Sequence, residues 1–169
     1  KRGRYIDVNN ALDGEGPFSP QRSGSMPTGQ MIELCFSGKL TKPELKQLNK
    51  GRGGLIDLLG TADLREVERR IEAGDAEAAR VYEAMAYQIA KEVTSLLPAF
   101  DGEPVDRVLL TGGMARSQRL VAELTRLLAA LGCGVTAYPG ENEMAALVKG
   151  ALRVLDGREE ALTYTADPR

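Results

Sequence analysis

The chain has 169 residues, 43% of them hydrophobic, and 22 Lys plus Arg against 24 Asp plus Glu give a net charge of −2. That balance describes one ordinary globular domain and excludes a disordered or fibrous chain. The near-neutral charge, with no block of one sign, does not indicate a nucleic-acid backbone binder, and no apolar run approaches the ~18 residues of a membrane span.

Taken in chain order, Arg4 to Val8 is short and rich in Tyr, Ile and Val, which predicts a strand. Asn9 to Gly29 is dense in Gly, Pro, Asn and Ser and predicts a long loop, of a length that in compact domains goes with function. A short helix is expected over Gln30 to Phe36. Thr41 and Glu44 have capping-box spacing with Pro43 in the first turn, so Lys42 to Leu48 is expected to be helical. Gly51, Gly53 and Gly54 then break the chain. Asp63 and Glu66 make a second box-like pair ahead of Val67 and Ile71, Gly74 fits a helix stop, and Asp75 fits the next N-cap.

Ala76 to Leu97 carries the clearest helical period: Val81, Met85, Ile89 and Val93, widened by Tyr82, Ala86 and Ala90, so both sides of the helix should pack. Tyr82 and Tyr87 read as packing residues. Val105 to Leu110 is expected to be a buried strand running into Thr111-Gly112-Gly113. A helix over Ser117 to Leu131 and a strand over Val135 to Tyr138 complete a strand, turn, helix, strand unit, so the two strands should be parallel. The last helix has Met144, Leu147, Val148, Ala151, Leu152 and Leu155 on its apolar face, and a polar tail follows. The chain opens on Lys1, and a strand within four residues of that start leads to the expectation of a piece of something longer.

Absence of histidine excludes Ser-His-Asp and Cys-His centres and His-ligated zinc within these residues. Cys35 and Cys133 are expected to be free thiols in a cytoplasmic protein. The Thr111-Gly112-Gly113-Met114 turn ends a strand and opens a helix. Two missing side chains leave a flat slot for a base and ribose beside a helix N-terminus, although a tight turn needing positive φ gives the same pattern. Asn9 to Gly16, continuing to Arg22-Ser23-Gly24, supplies amides, hydroxyls and one guanidinium suited to phosphate oxygens; a solvated loop is the plain alternative. Glu141 and Glu143 at the start of the last helix either offset its dipole or hold Mg2+ through water. The basic loop Asn49 to Gly54 reads as a solvated turn.

Together VNNALDGEGPFSPQRSG, ELCFSGK, VYEAMAYQIAKEV, VLLTGGMARS and YPGENEMAALVKGALRVL resemble the butyrate kinases, in the acetate kinase branch of the acetate and sugar kinase, heat-shock-chaperone and actin superfamily. The resemblance covers about Tyr5 to Leu155. It implies an α/β, ribonuclease-H-like (actin-like ATPase) domain with a mixed sheet flanked by helices, occupying residues 1–169 as the C-terminal nucleotide-binding half of a two-domain kinase. It implies ATP or ADP with Mg2+, and a short-chain carboxylate or acyl phosphate as the other substrate. By the same resemblance Thr111, Gly112, Gly113, Met114 and Ser117 meet the nucleotide, and Asn10, Gly14 and Gly16 meet phosphate. Arg22 is the catalytic arginine facing the transferring phosphoryl group, and Glu141 or Glu143 is associated with Mg2+. The implied partners are the N-terminal domain and a second copy. Without the opposing cleft wall the chain is expected to be inactive by itself. A non-catalytic actin-like nucleotide-binding or assembly module is the alternative.

Overall fold

The computed structural model describes residues 1–140 and 142–163. Its helices are α1 (Thr28–Phe36), α2 (Lys42–Asn49), α3 (Leu55–Leu59), α4 (Leu64–Glu72), α5 (Ala76–Ser95), α6 (Gln118–Leu127) and α7 (Glu143–Leu155), and its strands are β1 (Arg107–Gly112) and β2 (Gly134–Pro139). The architecture is α/β. No described helix is long and apolar enough to cross a membrane.

Local chemistry sets most boundaries. At α2 the capping box is complete: Glu44 N donates to Thr41 Oγ1 and Thr41 N donates to the Glu44 carboxylate. At α4 only half of the expected box forms. The Asp63 carboxylate accepts from Arg65 N and from the Arg65 guanidinium; Glu66 N donates to the Asp63 carbonyl, and Asp63 N donates to Thr61 Oγ1 instead of to the Glu66 carboxylate. The bidentate Arg pair is the stronger competitor for the Asp63 carboxylate. Asp75 caps α5 by accepting from Glu77 N and Ala78 N. Pro98 lies in a 3-10 turn, Leu97–Phe100, that ends this helix.

Helix α5 forms the centre. Its buried residues are Ala78, Tyr82, Met85, Ala86 and Ala90, while Val81, Ile89 and Val93 pack more shallowly. The stripe expected to be secondary is thus the deeper one, because its alanines let α4 and α6 approach closely. The core around it includes Leu55, Val67, Leu120, Leu124, Leu128 and Phe18. Tyr87 is exposed, against the packing role expected for it. Cys35 and Cys133 are free.

The strands pair parallel as expected, from Arg107 opposite Gly134 to Gly112 opposite Pro139. Among the described residues the sheet has only these two strands, so it is parallel and not mixed. Arg4 to Val8 is not a strand: Tyr5 and Val8 are exposed, and among the described residues no ladder partner stands beside the segment. Helices cover one face of the sheet, where Val108 is buried, while Leu109 and Tyr138 lie exposed. Helix α7 forms where expected, but its apolar residues Met144, Leu147, Val148, Leu152 and Leu155 are all exposed.

Candidate nucleotide and phosphate cleft

Arg22 is placed by a set of backbone hydrogen bonds. Ser19 N donates to Arg22 O, Gly51 N to Gln21 O, and Ser23 N to Asn49 O, with an antiparallel bridge between Arg22 and Lys50. The carbonyls of Ser19 and Pro20 accept from Leu55 N and Ile56 N, which would otherwise be unpaired at the start of α3. The Arg22 segment is therefore clamped between the end of α2 and the start of α3. A Cβ on Gly53 would meet the Leu48 carbonyl and Ser23 N, and one on Gly54 would meet the Ser19 carbonyl. These glycines of the basic loop serve close approach of the Arg22 segment.

Opposite it, β1 ends at Gly112, whose φ of 82° and ψ of −175° suit only glycine. A 3-10 turn, Gly113–Arg116, leads to Ser117, whose Oγ caps α6 by accepting from Leu120 N at 2.9 Å. Gly113 has no positive φ, and a Cβ there would meet nothing within 4 Å. The turn geometry explains Gly112 but not Gly113, which leaves bare backbone facing open space.

These two walls enclose a cleft of about 850 Å3, lined among others by Arg22, Asp63, Arg65, Glu68, Gly113, Met114 and Ser117. That size suits a ligand such as a nucleotide. Among the described residues the Arg22 guanidinium makes no ion pair and no hydrogen bond, in contrast to Arg65, which is held by Asp63 at 2.7 Å. The Arg65 guanidinium and then the Arg65 N–H hold the Asp63 carboxyl well below the usual range, at about 2. At the back of the cleft Glu68 Oε1 accepts from Tyr82 OH at 2.8 Å and from Ser117 Oγ at 2.5 Å. Burial pushes the Tyr82 phenol up. Glu68, Asp63 and Arg65 were not among the expected site residues. They come from α4 and its N-cap, remote in sequence from both motifs, and no local pattern marks them as site residues.

The structure thus brings together Arg22, Gly113, Met114 and Ser117, with Gly112 at the hinge of the turn. Thr111 belongs to an apolar pocket behind the turn, with Leu109, Leu110 and Val121. Asn10 is exposed, and its side chain donates to Asp13 while its backbone N–H donates to Glu15. Gly14 and Gly16 both have positive φ, and a Cβ on either would collide with Asn49 or Asn9. Internal packing accounts for these two glycines, and neither lines the cleft. Glu143 is exposed in the first turn of α7; Glu141 lies outside the described residues. Among the described residues no three His, Cys, Asp or Glu side chains gather where a metal ion could be held. They do not fit a direct protein cage for Mg2+.

The chain is 47% identical over 164 residues to a probable butyrate kinase of Clostridium botulinum (strain Alaska E43 / Type E3), and 46% identical to another from strain Eklund 17B / Type B. Each match covers 97% of this chain but 46% of the relative, so the chain spans about half the length of the curated relatives it matches. Among solved structures, acetate kinase from Porphyromonas gingivalis superposes with a TM-score of 0.70 at 22% identity, over 82% of this chain and 41% of that one. Acetate kinase from Entamoeba histolytica gives 0.70 at 16% identity, over 82% and 42%. A propionate kinase from Francisella tularensis subsp. tularensis SCHU S4 gives 0.62 at 24%, over 71% and 30%. These likenesses show the actin-like ATPase fold. The Acetokinase family profile matches residues 3–151, and the chain belongs to that family.

Proposed function

We propose that this chain is the nucleotide-binding half of a short-chain carboxylate kinase that acts on butyrate or another short-chain acid. In the reaction a carboxylate oxygen attacks the γ-phosphorus of ATP, the bond to the ADP oxygen breaks, and acyl phosphate and ADP leave; the reverse makes ATP. The observation that carries the reading is the pairing of Arg22, free of any protein partner among the described residues, with the open Gly113 turn on one cleft. In phosphoryl transfer most of the catalysis is positioning and charge neutralisation. Gly113 and Met114 would seat the nucleoside, and the fork of Arg22 would face the equatorial oxygens as their charge spreads. Asn10, Gly14 and Gly16 act on this reading as the loop that shapes the approach to Arg22. Mg2+, bound with the nucleotide, would supply charge neutralisation. Glu143 is the described carboxylate that could reach it through water, and no step is assigned to that contact.

On this reading the remaining half of the protein closes the cleft and covers the exposed apolar face of α7, and the isolated chain does not turn over. Homo-oligomer formation and a cytoplasmic setting belong to the same proposal. The test is Arg22→Ala in the full-length protein, assayed with butyrate and ATP. The expected result is a fall in kcat of about 10²–10³-fold with KM for ATP within a few-fold of wild type. A raised KM with unchanged kcat removes Arg22 from the reaction, and absence of butyrate-dependent ADP release in the wild type removes the substrate.

A further inference from the structure

Three helices, each anchored in the core by other residues, present one oxygen apiece to a common point at the back of the cleft. Helix α4 is held by buried Leu64 and Val67, and Glu68 follows them on the side that lines the cleft. Helix α5 buries Tyr82, and Arg119 lies over its ring, 5.6 Å from the centroid. Helix α6 is held by buried Leu120 and Leu124, and Ser117 is its N-cap. Glu68 Oε1 accepts from Tyr82 OH at 2.8 Å and from Ser117 Oγ at 2.5 Å, while the two hydroxyl oxygens stand 3.3 Å apart. With both protons given to the carboxylate, the Tyr82–Ser117 contact sets lone pair against lone pair, and it is the longest of the three.

Stability alone does not call for this arrangement, because a carboxylate drawn out of water costs solvation that an apolar side chain of similar volume avoids. What the cluster fixes is geometry. Ser117 Oγ also accepts from Leu120 N at 2.9 Å, so one hydroxyl both caps α6 and ties its start to α4. Ser117 N donates to Met114 O at 3.0 Å, closing the Gly113–Arg116 turn. The tie therefore reaches the open Gly113 backbone through a single 3-10 turn. Its proton committed to Glu68, the Ser117 hydroxyl has none to give a ligand.

We infer that Glu68, oriented by Tyr82, is a positioning residue: through Ser117 it holds the Gly113–Arg116 turn at the spacing from α4 that the nucleotide requires. This rests on the nucleotide reading of the cleft. Ser117 works in the same tie and not as a donor to the ligand. Affinity falls steeply when a supporting contact is lost and the backbone that meets a ligand can shift.

The experiment is calorimetric titration of the chain with ADP, with urea unfolding of the same proteins, for Glu68→Leu, Ser117→Gly and the double variant. Glu68→Leu keeps most of the volume and leaves the α6 cap in place, and glycine is nearly as good an N-cap as serine. Each single variant should weaken ADP binding about tenfold, and the double variant about as much as either one, since both cut the same tie. The urea midpoint of Glu68→Leu should stay at or above that of wild type. Removal of a negative charge would by itself tighten an anionic ligand, so unchanged or higher ADP affinity in Glu68→Leu overturns the inference. Losses that multiply to about a hundredfold in the double variant mean two separate contacts with the ligand and overturn it too. A midpoint that falls in step with affinity in Glu68→Leu does the same. Glu68→Gln, whose amide oxygen still accepts from Ser117, should bind ADP within about threefold of wild type; a loss equal to that of Glu68→Leu assigns the effect to charge and overturns the positioning role. Should Glu68→Leu not fold, wild-type affinity in Ser117→Gly is enough to overturn it. Absence of ADP binding by a wild-type chain with native circular dichroism overturns the nucleotide reading and this inference together.

Discussion

Substitution of the two adjacent glycines should separate what the turn requires from what a ligand requires. At Gly112, φ is 82° and ψ is −175°. A side chain there is strained by about 1–3 kcal/mol, offset by the roughly 0.4–1 kcal/mol that removing a glycine takes from unfolded-chain entropy. Gly112→Ala should therefore lose about 1–2 kcal/mol, a shift of roughly 0.5–1 M in the urea midpoint at an m-value near 2 kcal/mol/M. Gly113 has no positive φ, and a Cβ would meet nothing within 4 Å. Gly113→Val should stay within about 0.5 kcal/mol of wild type, as for other surface changes. Its cost should appear in the ligand: the isopropyl group fills the slot, and ADP affinity should fall at least tenfold, about 1.4 kcal/mol. Urea unfolding and calorimetry on the same protein give both quantities. A Gly113→Val protein that is stable and binds ADP as wild type refutes the slot, and one that loses more than ~1 kcal/mol of stability shows that the space was not open.

Other consequences follow from burial and charge. Met85 is fully buried against the core on α5, so Met85→Ala should cost about 2–5 kcal/mol in urea unfolding; a loss under ~1 kcal/mol contradicts that placement. The folded-state pKa of Asp63, about 2, lies below its ordinary value, so its contribution is complete above pH ~4 and is lost as pH falls toward 2. Asp63→Asn keeps a capping oxygen but should flatten that part of the acid limb, read from urea midpoints at pH 5, 3 and 2; an equally steep limb in the variant removes Asp63 as its source. Leu147 is 61% exposed on α7, so Leu147→Glu should leave the chain's stability within about 0.5 kcal/mol while impairing carboxylate-kinase turnover of the full-length protein. Full turnover in that variant argues against burial of this face by the rest of the protein.

The parts of the fold that were legible in the sequence are those whose cause is local. The Thr41–Glu44 box, the Asp75 cap, the glycine stop after α4 and the period of α5 each depend on residues a few positions apart, and each formed. Arg4 to Val8 failed because a strand is not local. Its residues suit one, but among the described residues no neighbour offers a ladder. Helix α3 was missed because five residues carry too little period to show. Glu68 was missed because its partners are 14 and 49 positions away, and only packing of α4, α5 and the start of α6 brings the three groups together.

The glycines show where sequence reading of the site stops. In the chain, Gly14, Gly16, Gly112 and Gly113 read as candidate ligand-facing positions, and Gly53 and Gly54 as part of a solvated turn. What a Cβ would meet divides them. At Gly14 and Gly16 it meets an asparagine side chain, and at Gly53 and Gly54 it meets backbone; at Gly112 the dihedrals alone demand glycine. Folding accounts for all five. At Gly113 neither the dihedrals nor any neighbour within 4 Å demands one. On the proposed function, a glycine that folding does not require, at the mouth of a cleft that also holds an unpaired arginine among the described residues, is where a ligand would supply the missing neighbour. The nucleotide reading is therefore strongest at this residue, and weakest along Asn10 to Gly16, where the protein already supplies every contact that the glycines accommodate.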